Sequence, residues 1–270
     1  MNRIDQKFNE LRNQKRKGFI PFVTAGDPNL ETSLKIVLAL ADSGADIIEL
    51  GVPFSDPMAD GPTIQRSSQR ALKNGTSLSR ILDLVKTLRK SSSVPIVLFS
   101  YLNPLLRYGF EKLRDDAANV GIDGVLVTDA IEDEAKEIAD HLADKNIDLI
   151  SLVAPTTTDE RLATIASAAR GFIYAVSRAG VTGTRADTSV EAEKLVTRVR
   201  KFTDLPVAVG FGISSVEQVN DVWRYADAAV VGSAIVAEIE KNTDAADLPE
   251  RVRSFVRSII PAFAKSQDEI

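Results

Sequence analysis

The sequence predicts an α/β fold: a (β/α)8 TIM barrel that forms a single domain over residues 1–270, with an extra N-terminal helix. Apolar runs typical of strands buried on both faces alternate with segments of helical periodicity, giving eight strands. The turn after the first strand, Ala25-Gly26-Asp27, lacks the G-x-G-x-x-G pattern that is typical of an open doubly wound sheet. No linker or low-complexity tract divides the chain, and eight units fit the usual barrel length of about 250 residues.

The elements follow one another in the order that a barrel requires. Ile4, Phe8 and Leu11 recur at helical spacing and predict an amphipathic helix before the first strand. Gly18–Thr24 is an apolar run between a glycine and a turn, and it predicts the first strand. The further strands are predicted to begin near Asp46, Pro95, Asp123, Asp148, Phe172, Pro206 and Asp227. A last amphipathic helix is predicted from the spacing of Leu248, Val252, Phe255, Val256, Ile259 and Phe263.

Polar residues predict where some of the helices begin. A side-chain oxygen at the N-cap accepts a backbone N–H of the first turn, and proline suits the first helical position. A glutamate three residues after the cap completes a capping box. The residues that fit these patterns are Asp27 followed by Pro28, Thr157 with Glu160, and Ser214 with Glu217.

Composition excludes several classes of function. The net charge is −5 and the basic residues are scattered, which disfavours a nucleic-acid partner. The chain has no cysteine, so disulfides, thiolate nucleophiles and cysteine metal sites are excluded. The single histidine, His141, lies in a helical pattern without a ligand cluster, so we expect it at the surface and expect no metal site. Neither a signal peptide nor a membrane-spanning run is evident, which predicts a soluble cytoplasmic protein.

Two glycine-containing turns predict a phosphate site. Gly210–Ser214 follows strand seven and Gly232–Ile235 follows strand eight, and each puts backbone N–H groups at a helix start. Such groups bind dianions, and the loops after strands seven and eight are the usual phosphate position in this fold. Glycines after strands also occur as plain turn residues, but two such turns in these two loops favour phosphate. Gly180–Arg185, after strand six, is polar enough to form a lid over the same end.

A pair of carboxylates predicts acid–base chemistry. Glu49 stands among apolar residues of strand two, so burial should raise its pKa toward neutrality, as proton transfer in both directions requires. Asp60 lies later on a long loop, where a more exposed carboxylate can stay ionised and accept a substrate N–H. Each also has a structural interpretation, Glu49 as a salt-bridged strand end and Asp60 as a turn former. Asp56 is first interpreted as turn structure before Pro57, and Asp46 as facing away at the strand start.

Aromatic residues near the strand ends predict an apolar ligand wall. They are Phe22, Phe99, Tyr101, Tyr174 and Phe211. Aromatic residues of a barrel also occur as plain core, so this pattern adds modest weight. Together with the two turns and the carboxylates, it describes a ligand with a phosphate at one end and a flat hydrophobic group at the other.

One long segment carries a specific resemblance. Glu49–Pro62 followed by Ile64-Gln65 resembles the signature of the tryptophan synthase alpha subunit family. Further resemblance lies in Phe19–Ala25, the Tyr101-x-Asn103-Pro104 turn, Ala154–Thr157, Ser177–Arg185 and Gly210–Ser214. The chain departs from the family pattern at Ala130-Ile131-Glu132, where a Leu-Pro type turn is expected, and at Ala228, where glycine is expected.

The resemblance implies a lyase of tryptophan biosynthesis that cleaves indole-3-glycerol phosphate to indole and glyceraldehyde 3-phosphate, without a cofactor in this chain. It implies that Glu49 is the acid–base residue, with Tyr174 beside it, and that Asp60 accepts the indole N–H. The implied residues around the indole are Phe22, Ile64, Tyr101, Leu126 and Phe211. Those implied at the phosphate are Gly183, Gly212, Gly232 and Ser233, while Thr182 closes onto Asp60.

The resemblance also implies a partner, a beta subunit that uses pyridoxal phosphate, in an αββα heterotetramer. The implied interface is the loop Val52–Asp60, with Pro53, Asp56 and Pro57, together with Thr182–Asp187. Asp56 thereby becomes a candidate for communication between subunits. Two alternatives stay open: a sugar-phosphate isomerase or epimerase on the same barrel, and a non-catalytic indole-binding subunit that activates a partner. The first often needs a metal or a lysine base, which is not evident, and the presence of Glu49 and Asp60 argues against the second.

Overall fold

Eight parallel strands close into a barrel in sequence order, and the last strand pairs with the first. This computed structural model describes residues 2–176, 185–210 and 212–261, with the backbone only for residues 132, 133 and 185–188. The strands are β1 Gly18–Thr24, β2 Ile48–Gly51, β3 Ile96–Ser100, β4 Gly124–Val127, β5 Asp148–Val153, β6 Ile173–Val176, β7 Val207–Gly210 and β8 Ala228–Val231. The predicted (β/α)8 barrel is confirmed.

Helices connect the strands and surround the barrel. Within the described ranges they are α1 Arg3–Asn13, α2 Leu30–Asp42, α3 Pro62–Lys73, α4 Leu78–Leu88, α5 Leu102–Tyr108, α6 Phe110–Val120, α7 Glu132–Ala143, α8 Asp159–Ala168, α9 Arg185–Val199, α10 Val216–Trp223, α11 Ser233–Lys241 and α12 Leu248–Ile259. The predicted last helix therefore corresponds to α12, and Phe263 lies outside the described residues. In the described part of the chain, no helix combines the length and apolar character needed to traverse a bilayer.

The extra helix α1 covers the amino-terminal end of the barrel. Its buried residues Ile4, Phe8 and Leu11 join the apolar cluster inside the strands. The rings of Phe8 and Phe172 lie with their centroids 5.6 Å apart. Because this end is filled by side chains, only the carboxyl end of the strands can hold an open site, which is where sites lie in this fold.

Aspartates at the same amino-terminal end of the barrel tie neighbouring strands together. Asp46 accepts a hydrogen bond from the backbone N–H of Phe19 at 2.9 Å, and Asp123 accepts one from Ile96 at the same distance. Asp46 is buried and also binds the guanidinium of Arg16. Each of these carboxylates satisfies an amide at the start of the preceding strand, so Asp46 serves the fold at the end opposite the site.

One predicted helix start is wrong because the acidic residue is used elsewhere. Helix α2 begins at Leu30, and its N-cap is Asn29, which accepts from the amide of Thr32 at 2.9 Å. Asp27 is 1% exposed and instead accepts two hydrogen bonds from Arg70, each 2.8 Å long. A buried carboxylate needs such a partner more than an exposed helix end needs a cap.

The two predicted capping boxes are wrong: each N-cap lies one residue later, at Thr158 and Ser215, and the predicted Glu is not at N3. Helix α8 is capped by Thr158, while the Thr157 hydroxyl accepts from the amide of Ala154 at 3.0 Å. Helix α10 is capped by Ser215, while the amide of Ser214 donates to the Gln218 side chain at 2.8 Å. Two adjacent hydroxyl residues offer equal caps in sequence, and the path of the loop decides which one is used.

Candidate active site

Glu49 lies inside the barrel with no exposed surface. Its neighbours in strand register are Phe22 on β1 and Val97 on β3. Within the described residues, neither carboxylate oxygen of Glu49 has a hydrogen-bond partner. Burial away from water penalises the charged form and raises the pKa of Glu49 to about 8. At neutral pH this group is therefore mostly protonated, yet it loses a proton readily enough to act in both directions.

Tyr174 on β6 lies close to Glu49. Burial, together with the charge of Glu49, holds the pKa of Tyr174 well above its ordinary value. Its ring passes directly over Gly210, where a Cβ would come within 2.2 Å of the Tyr174 hydroxyl. Gly210 thus makes room for Tyr174, a role that sequence reasoning missed because the only signal was a glycine at the end of a strand.

Aromatic and aliphatic side chains form a wall beside Glu49. Phe22 and Phe99 meet edge to face at 5.2 Å, and Phe99 meets Tyr174 at 6.4 Å. Ile64 from α3 packs in one cluster with Phe22 and Val236, and Leu126 lies opposite Phe99 in strand register. The structure therefore brings Phe22, Ile64, Leu126 and Tyr174 together through Phe99, and their roles toward a ligand stay predictions.

Gly51 is a second close approach that the sequence did not reveal. A Cβ at this position would lie 2.5 Å from the Cζ atom of Phe22. Any larger residue would therefore displace a ring of the wall. Glycines at the carboxyl ends of β2 and β7 thus shape the surroundings of Glu49, because their lack of a side chain gives room to the rings of Phe22 and Tyr174.

Asp60 lies on the loop between β2 and α3, beside Tyr101. Burial raises the pKa of Asp60 to about 6, and a hydrogen bond with the Tyr101 hydroxyl partly opposes this rise. The same hydroxyl accepts from the backbone N–H of Ala59 at 2.9 Å, and Phe54 packs 5.3 Å from the Tyr101 ring. Tyr101 thus anchors the loop over the open end of the barrel and holds Asp60 there.

The start of helix α11 offers backbone N–H groups to an anion. Gly232 is its N-cap, no side chain caps it, and the amides of Ser233 and Ala234 have no acceptor within the described ranges. Free N–H groups at a helix start, with the helix dipole behind them, bind phosphate. Gly232 also adjoins the apolar wall, because a Cβ there would lie 3.3 Å from the Cβ of Phe22.

The loop after β7 contributes less than its sequence predicted. The amide of Ser214 already binds the side chain of Gln218, so it is not available to a ligand in this structure. Gly212 has a positive φ of 73°, and a Cβ there would meet no atom within 4 Å. Gly212 thus borders open space among the described residues.

The other predicted residues form two groups: those outside the described ranges and those of the predicted interface. Thr182, Gly183 and Phe211, with the lid Gly180–Arg185 except for the backbone of Arg185, lie outside the described residues. Pro53 is buried, whereas Asp56 is exposed and accepts a hydrogen bond from the Ser55 hydroxyl, and Pro57 lies half-buried beside it.

The region contains no feature of a metal site as far as the chain is described. Over residues 2–176, 185–210 and 212–261, no cluster of three His, Cys, Asp or Glu side chains is arranged to hold a metal ion. His141 is half-buried on α7 and stacks on the Phe110 ring at 5.9 Å, far in the fold from Glu49 on β2.

Comparison with known proteins identifies the family. A family model described as tryptophan synthase alpha chain matches residues 8–259. The tryptophan synthase alpha chain of Solibacter usitatus (strain Ellin6076) is 47% identical over 263 residues, which cover 97% of this chain and 98% of that protein. The alpha chain of Caldanaerobacter subterraneus subsp. tengcongensis is 46% identical over 260 residues, covering 96% and 98%.

Solved structures agree with this result. The crystal structure of the tryptophan synthase alpha chain from Legionella pneumophila subsp. pneumophila superposes with a TM-score of 0.88 at 32% identity, covering 96% of both chains. That of tryptophan synthase from M. tuberculosis, in an open form with BRD0059 bound, gives 0.86 at 36% identity, covering 96% and 97%. Nearly the whole chain is matched in each comparison, so this protein belongs to the tryptophan synthase alpha chain family.

Proposed function

We propose that this chain cleaves indole-3-glycerol phosphate to indole and glyceraldehyde 3-phosphate by a retro-aldol reaction, with Glu49 as the acid–base residue. The alpha chains of tryptophan synthase are lyases of tryptophan biosynthesis, and membership of the family gives the reaction. The observation that supports the residue assignment is a fully buried carboxyl group that has no hydrogen-bond partner among the described residues and a pKa of about 8. Such a group lowers the stability of the fold, and groups of this kind cluster at sites where a proton is transferred.

The reaction runs through two proton transfers at one residue. Neutral Glu49 gives its proton to carbon 3 of the indole ring, and the ring nitrogen takes the positive charge. Asp60, ionised, accepts the indole N–H and stabilises that charge. The Glu49 carboxylate then removes the proton of the hydroxyl on the adjacent glycerol carbon. As the O–H electrons form the aldehyde C=O, the C–C bond breaks and its electrons restore the neutral ring, leaving Glu49 protonated again.

Substrate position follows from the two ends of the site. The indole ring packs on the wall of Phe22, Ile64, Leu126 and Tyr174, with Tyr101 and Phe211 beside it. The phosphate binds at the α11 start through Gly232 and Ser233, next to Gly212 and Gly183, and Thr182 closes over Asp60. Since Glu49 acts as both acid and base, the proposal requires no cofactor in this chain.

The partner in this proposal is the tryptophan synthase beta subunit, which carries pyridoxal phosphate, in an αββα heterotetramer in the cytoplasm. The carboxyl end of the barrel exposes three large apolar side chains: Met58 (90%), Leu106 (55%) and Ile131 (63%). They lie on the segments that follow β2, β3 and β4, and Met58 directly follows Pro57. Large exposed apolar side chains at one end of a molecule are typical of a protein interface.

An indole assay tests the function. The purified chain with indole-3-glycerol phosphate should release indole slowly, and addition of a beta subunit should raise the rate strongly. Absence of indole under both conditions would contradict the proposal. Release of indole that does not respond to the beta subunit would keep the lyase but remove the partner. A sugar phosphate without the indole group, offered in parallel, should not react.

A further inference from the structure

Four charged side chains link three segments that border the proposed site. Arg66 on α3 binds Glu240 on α11 through two hydrogen bonds of 2.7 Å. One turn later on α3, Arg70 binds the same carboxylate at 2.7 Å. Arg70 also holds Asp27, in the turn after β1, through two hydrogen bonds of 2.8 Å. Two guanidinium groups and two carboxylates thus form one neutral network, which we name the α3–α11 clamp.

The clamp is more constrained than an ordinary surface ion pair. Arg70 is 25% exposed, Glu240 27% and Asp27 1%. Arg66 and Arg70 together hold the pKa of Glu240 down to about 2, so its carboxylate stays charged over the whole working range. Paired hydrogen bonds between guanidinium and carboxylate fix orientation as well as distance, which a lysine could not reproduce.

Each linked segment carries a different part of the proposed site. Helix α3 begins at Pro62, directly after the loop that ends in Asp60 and Gly61. Helix α11 begins with the free amides at Ser233. The turn with Asp27 follows the strand that carries Phe22. In the proposed complex, the segment before α3 therefore binds the indole nitrogen, the start of α11 binds the phosphate, and β1 contacts the face of the indole ring.

Apolar packing holds the same helices together next to the site. Ile64 on α3, Val236 on α11 and Phe22 on β1 form one small cluster. Glu240 lies four residues beyond Val236, which is about one helical turn further from the site. Helices α3 and α11 thus contact each other at two places along their length, the apolar cluster and the clamp. Two contacts resist a change in the angle between the helices that the apolar contact alone permits.

We propose that the α3–α11 clamp is a positioning device, which sets the distance between Asp60 and the phosphate-binding start of α11. The inference rests on the function proposed above. A substrate with two recognised ends gains from a fixed spacing, since binding one end then presents the other at the right place. Glu240 and Arg70 touch no substrate, so they act through the helices that they join.

Binding of the whole ligand and of its halves tests this inference. The probes are indole, inorganic phosphate and indole-3-propanol phosphate, titrated by NMR against the full chain. Glu240→Gln is the first variant, because it removes the charge and one of the two acceptor oxygens that Arg66 and Arg70 bind, while leaving the Arg70–Asp27 pair intact. It should bind indole and phosphate within about two-fold of the wild type, whereas the joined ligand should bind about ten-fold more weakly.

Two further variants support the reading. Arg70→Gln should show the same pattern if it folds, but it leaves the buried Asp27 unpaired, so Glu240→Gln decides the question. Glu31→Gln is the matched control, because Glu31 is an exposed helix residue paired with Lys35 on α2. It should leave all three affinities unchanged.

The outcomes separate this inference from the proposed function. If Glu240→Gln weakens all three ligands equally, or none of them, the clamp does not set the spacing and the inference is wrong. If the wild type binds the joined ligand no better than its halves, the proposed function fails and takes the inference with it. A loss confined to the joined ligand supports both.

Discussion

Glu49 is a carboxyl group at a position where strand neighbours pack apolar side chains. A charge there would lack any hydrogen bond within the described residues, so the barrel tolerates Glu49 by keeping it protonated. Stability is given up for a proton carrier, as active sites commonly require. This conflict between folding and chemistry makes Glu49 testable in two independent ways.

The first test of Glu49 is turnover. Glu49→Gln keeps the shape of the side chain but can neither give nor take a proton. Indole release should fall by at least about 10²-fold, while the affinity for indole-3-propanol phosphate stays within about two-fold. Steady-state kinetics and ligand titration measure the two effects. Substantial remaining activity would mean that another group transfers the proton.

The second test of Glu49 is the pH dependence of stability. The folded-state pKa is about 8, against an ordinary value of 4.5. Between these values the unfolded chain has released the proton that the folded chain retains, so the stability of the wild type falls as pH rises. Glu49→Gln lacks this penalty and should be more stable by roughly 3 kcal/mol at pH 7, with little difference at pH 4.5.

Urea unfolding of both proteins at several pH values checks this expectation. The difference in unfolding free energy between Glu49→Gln and the wild type should grow from pH 4.5 to pH 8 and then level off. A constant difference would show that Glu49 is ionised in the folded protein throughout this range.

At the scale of single elements, the sequence predicts what is local. The strands begin within two residues of the predicted positions, because apolar runs preceded by polar residues mark them clearly. Helix starts are not determined by the local sequence alone: adjacent hydroxyl residues at Thr157–Thr158 and Ser214–Ser215 offer two caps each. Which one is used depends on the loop path, which is a tertiary property.

The site divides in the same way. The sequence predicts Glu49 and Asp60 as site residues, since strand ends and acidic loops are visible in it, and their roles stay predictions. It could not reveal that Gly210 lies under Tyr174, or that Glu240 joins Arg66, because these residues meet only when the barrel closes. The extent of the domain over residues 1–270 and the roles at Thr182, Gly183 and Phe211 stay predictions.

The contact between Gly210 and Tyr174 gives a test at the level of two strands. In Gly210→Ala, a new methyl group would overlap the Tyr174 hydroxyl, which belongs to a buried ring. We expect a loss of about 1–3 kcal/mol in unfolding free energy and a lower rate of indole release. Adding Tyr174→Phe should recover part of the stability, because the shortest approach is to the hydroxyl oxygen.

A glycine with open space around it serves as the control for Gly210. At Gly61 a Cβ would meet nothing within 4 Å, so Gly61→Ala should cost below about 1 kcal/mol. Calorimetric melting of the variants measures these differences. Equal stability of Gly210→Ala and the wild type would mean that the ring of Tyr174 moves aside freely.

The whole molecule has two unlike ends, and the exposed apolar side chains allow a test of the proposed partner surface. Leu106→Asp puts a charge at the carboxyl end of the barrel without touching Glu49 or Asp60. We expect activation by the beta subunit to weaken at least about ten-fold, with the melting temperature and basal rate of the isolated chain unchanged. Titration of indole release with the beta subunit measures this.

Phe202 provides the matched control for Leu106. It is 37% exposed and lies between α9 and β7, at the amino-terminal end of the barrel. Phe202→Asp should leave activation by the beta subunit unchanged. If both variants weaken activation equally, the effect does not come from a defined surface.

The closure of the amino-terminal end of the barrel by α1 has a consequence for how ligands enter and leave. Because Ile4, Phe8 and Leu11 fill the amino-terminal end of the barrel, the substrate must enter and both products must leave at the carboxyl end. A protein bound over that opening would therefore control both substrate entry and product release. It could also take up a released product before the product reaches solvent. Helix α1 at the amino-terminal end of the barrel thus leaves the site open at its carboxyl end only.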